Sequence, residues 1–527
     1  MAYRAGTNVV ETVMEAPSGR RVAVVDFAPW PESGGLVRLV RALAGPVDVE
    51  VEVLTGPERR PGGGRREVHP CAGGLLLDGL LIAAPGRFET AALDRDTGRW
   101  RAQLRLDAGE EAVVTVGFED PIGIDSARRL LTDTETAWRS WLTPLAYSGP
   151  YRTAVERALL SVRMLTGPEG APAGAGTTSL PRRAGSERSA DDRWVRLRTV
   201  ARAAEVLAQA GLTEDSEATE HWLRSTVSGA DLPWPAWFDA DGQPVPEEEE
   251  LPYEGWRRSQ PVVAGRRRVL DLGVVGAVAA AVGASARGPW AGRSDPGPLS
   301  AAFDAIAAAT DWAADRWRQP DAGRWEIERP LRLYTASRAE LWRALDRMAR
   351  LARAANPLDL RAAAWQQEGG DLLSWLESEA VAPDGAVRMA AGAEDEADAA
   401  LLDVVGARPW PAADPVVEAT VRRALSRLSS GPLLYRYSDR VADERAGPDL
   451  PDLEASFLAV RSLAALGHWD AAHERMEGIT DVVDGAGPGL LAQTADPVAG
   501  ELFGNFPDTA TALALVDAAR ILEGGPR

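Results

Sequence analysis

The feature that most constrains this chain is a change of hydrophobic period near residue 120. Residues 1–118 alternate with period two, as half-buried strands do, because successive side chains face opposite sides of a sheet. "VDVEVEVL" (47–54) sets Val on one face and acids on the other. "VVETVMEAPSGRRVAVVDF" reads as a hairpin around Ser18-Gly19. "AALDRDTGRWRAQLRL" reads as a second, with its turn at Asp96-Thr97-Gly98, and "EEAVVTVGFED" completes an antiparallel β-sandwich. From about residue 126 the apolar residues recur at helical spacing, from "SARRLLTDTETAWRSWL" and "YRTAVERALLSVRML" through to 507–522. Repeated helix pairs of this kind build a solenoid or a closed α/α toroid. No regular internal repeat runs through them, which weighs against the solenoid.

Composition removes several functions. The net charge is −20 and the basic side chains are all Arg. Phosphate binding needs a basic surface, so neither nucleic acid nor an anionic membrane is an expected partner. One cysteine, Cys71, excludes an internal disulfide. Four scattered histidines (His69, His221, His468, His473) form no ligand cluster with it, so no metal and no other cofactor is expected. The opening "MAYRAGTNVV" lacks the apolar stretch of a secretory signal. "VLDLGVVGAVAAAVGA" (269–284) is short and Ala-rich for a bilayer span. A cytoplasmic protein is expected.

The loops hold the chemistry. The 18 Trp outnumber Phe and Tyr, and Trp234, Trp237, Trp256, Trp290 and Trp325 fall between helices. An indole face stacks on the apolar C–H face of a sugar, though any one Trp equally suits a helix junction. The connection 166–192 is long, and long loops on rigid scaffolds are functional or disordered. In "PDAGRWEIERPLRLYTASR" (320–338), Glu326 follows Trp325. A carboxyl beside a large apolar ring keeps its proton to higher pH, as a general acid must. The other reading is a carboxylate ion-paired with Arg324 or Arg329. "LPYEGWRRSQPV" (251–262), "GPLLYRYSD" (431–439) and "GLLAQTADPVAGELFGNFPDT" (489–509) are further candidates, each weak alone.

Together and in this order, these segments resemble glycoside hydrolase family 15, the glucoamylase and bacterial trehalase family, over nearly the whole chain. "YRAGTNVVET" (3–12) is similar to the family's "RYLPGTNVLET". "GTTSLPRRAGSERSADDRWVRLRT" is similar to "PTTSLPE…RNWDYRYCWLRD", and "LPYEGWRRSQPV" to "HLEGYRGSRPV". "PDAGRWEIERPLRLYTASR" looks like "PDEGIWEVRGGPRHFTYSK", and "GLLAQTADPVAGELFGNFP" looks like "GLLAEEYDPATGEMLGNFP". The resemblance implies a β-sandwich followed by an (α/α)6 toroid. The domains would be a sandwich over 1–120, a linker helix over 121–145 and the barrel over 146–527. It further implies a funnel for an α-glucoside or small glycan, and inverting hydrolysis by an acid opposite a base.

By that resemblance the acid is Glu326. The base position, the first Glu of "AEEYD", is Gln493. Trp325, Arg436, Asp191, Arg193, Arg198, Trp256 and Arg257 would bind substrate. Other positions depart from the family string: its Trp becomes Ala190 and its closing Asp becomes Thr199, while "GSRPVRIGN" becomes "RSQPVVAGR". Three readings follow. Hydrolysis persists through a substitute base, for which Asp496 and Glu501 lie in the right loop. Hydrolysis is weakened or lost and glycan or protein binding remains. Or phosphate replaces water as nucleophile, held by the arginines at 257–258 and 266–268. The family's opening segment does not precede "GTNV" here, through a start placed too late or a real loss of one sandwich edge; a real loss would expose an edge that invites a homo-oligomer.

Overall fold

The computed structural model describes residues 1–527 except 32–34, 55–66, 72–73, 85–87, 95–98, 186–188, 286–296, 328–329, 356–357, 439–449 and 526–527. The expected turn at Asp96-Thr97-Gly98, Trp290 and Arg329 lie outside the described residues. The chain divides into two compact units, Met1–Pro144 and Leu145–Arg527.

The first unit holds eleven strands among the described residues: β1 (Ala2–Tyr3), β2 (Val10–Glu15), β3 (Arg21–Phe27), β4 (Leu36–Ala44), β5 (Val47–Leu54), β6 (Val68–Cys71), β7 (Gly74–Leu77), β8 (Leu80–Ala83), β9 (Phe88–Asp94), β10 (Arg99–Leu106) and β11 (Glu111–Val116). They form an eight-stranded sheet, β1-β2-β3-β4-β11-β8-β7-β6, and a three-stranded sheet, β5-β10-β9. Alternation decides the buried face. β10 buries Trp100, Ala102, Leu104 and Leu106 and exposes Arg99, Arg101, Gln103 and Arg105. Those buried side chains meet Val40, Ala42, Leu75, Ile82 and Val114 of the larger sheet, so the two sheets share one core as a sandwich. On the other face of the larger sheet, Phe27, Val37 and Leu39 pack with Ala127 of α1 (Ile124–Trp141). The β2–β3 hairpin turns at Ser18-Gly19, where Gly19 takes φ +77° and its N–H donates to the Ala16 carbonyl at 2.9 Å.

The second unit holds twelve helices among the described residues: α2 (Arg152–Leu165), α3 (Leu197–Gln209), α4 (Thr213–Gly229), α5 (Gly273–Ser285), α6 (Gly297–Ala314), α7 (Thr335–Ala355), α8 (Leu360–Ser378), α9 (Leu401–Val404), α10 (Pro415–Leu428), α11 (Leu453–Ala465), α12 (Trp469–Ala486) and α13 (Thr509–Glu523). Neighbour relations close a ring: α3 packs on α5, α5 on α7, α7 on α9, α9 on α11, α11 on α13, and α13 back on α3. The even-numbered helices stand outside it: α2 against α13, α4 against α3, α8 against α7 and α12 against α11. Composition sorts the two layers. "LEASFLAVRSLAA" of α11 is apolar nearly all round and buries ten of its residues, whereas the outer α12 buries four. This is the six-fold toroid expected from the sequence, with α9 reduced to one turn.

The ring also places the site. Every inner helix is entered by a connection that ends at its N-terminus, and Asp452 and Asp508 cap α11 and α13 by accepting from Ala455 N (2.9 Å) and Thr511 N (2.8 Å). Side chains from these connections therefore gather at one end of the ring. No helix among the described residues is long and apolar enough to cross a membrane.

Candidate active site

A cavity of about 110 Å³ lies at that end, lined by Asp192 and Arg196, by Trp237 and Arg266, by Arg324 to Glu326, by Arg436 and Asp452, and by Gln493 and Asp508. Five of the six connections into inner helices contribute. Local structure sets each side chain. A two-stranded pairing puts Arg196 opposite Trp237. Glu326 closes a tight turn in which its N–H donates to the Gly323 carbonyl at 3.1 Å, and its φ is +56°. A non-glycine residue in that region carries roughly 1–3 kcal/mol of backbone cost, a feature concentrated at functional sites. Gln493 precedes the hairpin Thr494–Asp496/Glu501–Phe503. Gly504, at φ +85°, lies against it, and a Cβ there would come within 2.7 Å of Gln493 Oε1.

The cavity is crossed by charge. Both oxygens of Glu326 accept: Oε1 from Trp237 Nε1 (3.1 Å) and Arg196 Nη2 (2.8 Å), Oε2 from Arg266 Nη2 (2.7 Å). Arg266 then bridges, its Nη1 donating to Asp192 Oδ1 at 2.9 Å, while its guanidinium lies 3.9 Å over the Trp237 ring. Burial works against the Arg266 charge, but Glu326, Asp192 and Glu248 outweigh it and hold it above its ordinary range. Asp192 Oδ2 accepts from Gln493 Nε2 (2.8 Å) and Asn505 Nδ2 (2.7 Å). Gln493 Nε2 also faces Asp508 Oδ2 at 3.4 Å. With carboxylates on that side, the amide must present its N–H₂ there. Burial pushes Asp508 up to about 7, against the pull of the Thr511 hydrogen bonds. Trp325 turns its N–H to Asp398 at 2.7 Å, and burial pushes Asp398 up to about 6.

The structure brings Trp325, Glu326, Arg436 and Gln493 to one cavity. The ion-pair partners of Glu326 are Arg196 and Arg266 rather than Arg324, which binds Asp403 and Glu454 at 2.5 Å each. Asp191 is fully buried outside the cavity wall, bound to Arg193 (2.8 Å) and Trp194 Nε1 (3.1 Å), and the Arg193 side chain is half exposed. The neighbouring Asp192 enters instead. Trp256 and Arg257 are exposed and lie against the buried Phe503, with Arg257 pairing with Glu501 at 2.6 Å. That pairing occupies Glu501, and Asp496 Oδ1 accepts from Val498 and Ala499 N–H groups, so neither lines the cavity as a substitute base. Of the arginine strips, Arg266 and Arg267 are also paired with carboxylates.

Arg198 of α3 lines a separate cavity between the inner helices, pairing with Asp271 (2.6 Å) and Glu340 (2.5 Å). Burial pushes Glu340 up although Arg198 pulls it down. Arg198→Gln leaves two carboxylates buried together without their cation. It is expected to lower unfolding free energy by about 3–5 kcal/mol in urea titration.

Arg196 and Asp508 had no signal in local spacing, whereas Trp237 stood among the loop tryptophans and Arg266 in the arginine strip at 266–268. Counted along the strings quoted above, Asp192 and Arg196 stand where the family has Tyr and Trp, and Arg266 where "GSRPVRIGN" ends in Asn. Behind Trp237 and Arg266 lies a larger cleft of about 1,020 Å³, reaching Trp234 and Arg267. Trp237 and Arg266 line both and stand between the cleft and the small cavity.

Comparison with known proteins agrees with this architecture. The family model for Glycosyl hydrolases family 15 matches residues 149–484. A trehalase of Mycolicibacterium smegmatis is 28% identical over 434 residues, covering 79% of this chain but 63% of that protein. A trehalase of Thermoplasma volcanium is 25% identical over 540 residues, covering 99% of this chain and 83% of that protein. A bacterial glucoamylase solved in complex with acarbose superposes with a TM-score of 0.70 at 12% identity, covering 100% of this chain and 85% of that chain.

Proposed function

The chain belongs to the glycosyl hydrolases of family 15, and from that premise we propose an α-glucoside-binding protein whose inverting hydrolysis is weakened or lost at position 493. The carrying observation is the direction of one hydrogen bond. Gln493 Nε2 donates to Asp192 at 2.8 Å, so this position acts as a donor where an inverting site needs a proton acceptor. General-base help is worth roughly 10²–10⁴ in rate, enough for its loss to reduce turnover to a trace. Glu326 remains the general acid in this reading, with Trp325 and Arg436 beside it. In the closed cavity it is an acceptor for Arg196 and Arg266, so a sugar must first displace Arg266. The volume agrees: about 110 Å³ is below the roughly 300–1,000 Å³ of ligand sites.

Trehalose heads the sugars to test, since the relatives at 25–28% identity are trehalases. Maltose, isomaltose and starch complete the set. The expected result is calorimetric binding of at least one disaccharide, with glucose release about 100-fold or more below that of a family member with Glu at the base position. Absence of binding at millimolar sugar sinks the pocket. Glucose release undiminished in Glu326→Gln sinks the acid assignment.

A further inference from the structure

Five carboxylates line the cavity, and four of them are tied to an arginine. Asp192 pairs with Arg266, Glu326 with Arg196 and Arg266, Asp452 with Arg182, and Glu454 with Arg324. Asp508 is the fifth, and among the described residues it has no arginine partner. Its Oδ1 caps α13 through Thr511 N at 2.8 Å. Its Oδ2 faces the side chain of Gln493 across a long 3.4 Å contact. It therefore stands one hydrogen bond from the vacated base position, with an oxygen turned to the same cavity as Glu326.

We propose that Asp508 is a displaced general base for this site, an inference that rests on the α-glucoside pocket described above. In the step, a water beside Gln493 gives one proton to Asp508 Oδ2. The water oxygen bonds to the anomeric carbon with its lone pair, and the bond to the leaving oxygen breaks with its electron pair, which takes the proton of Glu326. The product is the inverted sugar, and the proton on Asp508 is lost to solvent. Asp192 is a poor alternative because Arg266, Gln493 and Asn505 already donate to it.

α-Glucosyl fluoride isolates this step, because fluoride leaves without a proton from Glu326. Wild-type protein is expected to release fluoride and β-glucose. Asp508→Asn keeps a good helix cap and is expected to lower kcat by about 10²–10⁴. Asp508→Ser, which also caps, should behave alike. Azide needs no base, so it should restore turnover in both variants and yield β-glucosyl azide. The wild-type rate should rise with pH through about 7 and then level, because the anion is the active form. The groups facing Asp508 are Asp192 and Glu454, which oppose its ionisation, and Thr511, which favours it. No fluoride release from a protein that binds glucosides overturns the assignment and leaves the pocket standing. So does full activity in Asp508→Asn, or variants that azide fails to restore. A protein that binds no glucoside overturns the pocket, and the displaced base with it.

Discussion

Glutamate at position 493 is expected to lower stability by about 2–3 kcal/mol at pH 7 and to leave α-glucoside hydrolysis unrestored. The sequence comparison alone suggests the opposite, since Gln493→Glu rebuilds the family motif. The surroundings decide against it. Gln493 Nε2 donates to Asp192 Oδ2 at 2.8 Å and faces Asp508 Oδ2 at 3.4 Å. A carboxylate there puts three acids around one point and turns both donated contacts into repulsions. Two like charges 4 Å apart at an effective dielectric of 20 repel by about 4 kcal/mol, so one of the three must take up a proton instead. In the wild type Asp508 already keeps a proton up to about 7; the variant adds an acid that must keep one as well, so its stability falls further than the wild type's as pH rises above the usual carboxylate range. Urea unfolding of both proteins at pH 5 and pH 8 measures this, and the gap should widen at pH 8. A large gain in glucose release from the single variant would show that one amide silenced an otherwise intact site.

How much of this was legible in the sequence follows from the range of the interactions. The period change near residue 120 comes from local alternation, and it located the sandwich and the helical half. The apolar character of α11 against the amphipathic α12 likewise distinguishes inner from outer helices. α9 differs: it is one turn, Leu401–Val404, because just before it the Asp398 carboxylate accepts from Trp325 Nε1 and Ala400 N instead of joining a helix. At the site, Glu326 and Gln493 were found because each sits in a motif. How they are paired was not legible, because the partners are distant along the chain: Arg266 reaches Glu326 across 60 residues, and Gln493 reaches Asp192 across 301. Asp191 and Asp192 show the limit most sharply. Adjacent extended residues point oppositely, so the first is buried against Arg193 and Trp194 and the second enters the cavity. No spacing rule chooses between them without the pairing of Thr178 with Asp191.

Arg266→Gln is expected to be the most costly change at the site, about 3–5 kcal/mol, because it strips one cation from two carboxylates at once. The Asp192 and Glu326 side chains are 9% and 13% exposed, so water replaces little of what the guanidinium supplied. Asp192 keeps its donors from Gln493 and Asn505, and Glu326 keeps Arg196 and Trp237, which sets the upper bound short of unfolding. The deficit should shrink on acidification, as protonation removes the uncompensated charge. A double-mutant cycle identifies the partner responsible. If Glu326 is the main group left exposed to the loss, Arg266→Gln/Glu326→Gln is more stable than the two single costs predict, by about 1–3 kcal/mol of coupling. Additive costs would mean that Arg266 acts chiefly as a packing group on Trp237, and that the charge crossing the cavity does not hold it shut. The same single variant removes half of the wall toward the larger cleft. Tighter disaccharide binding in Arg266→Gln, despite its lower stability, is the result expected if that guanidinium stands where the sugar must lie.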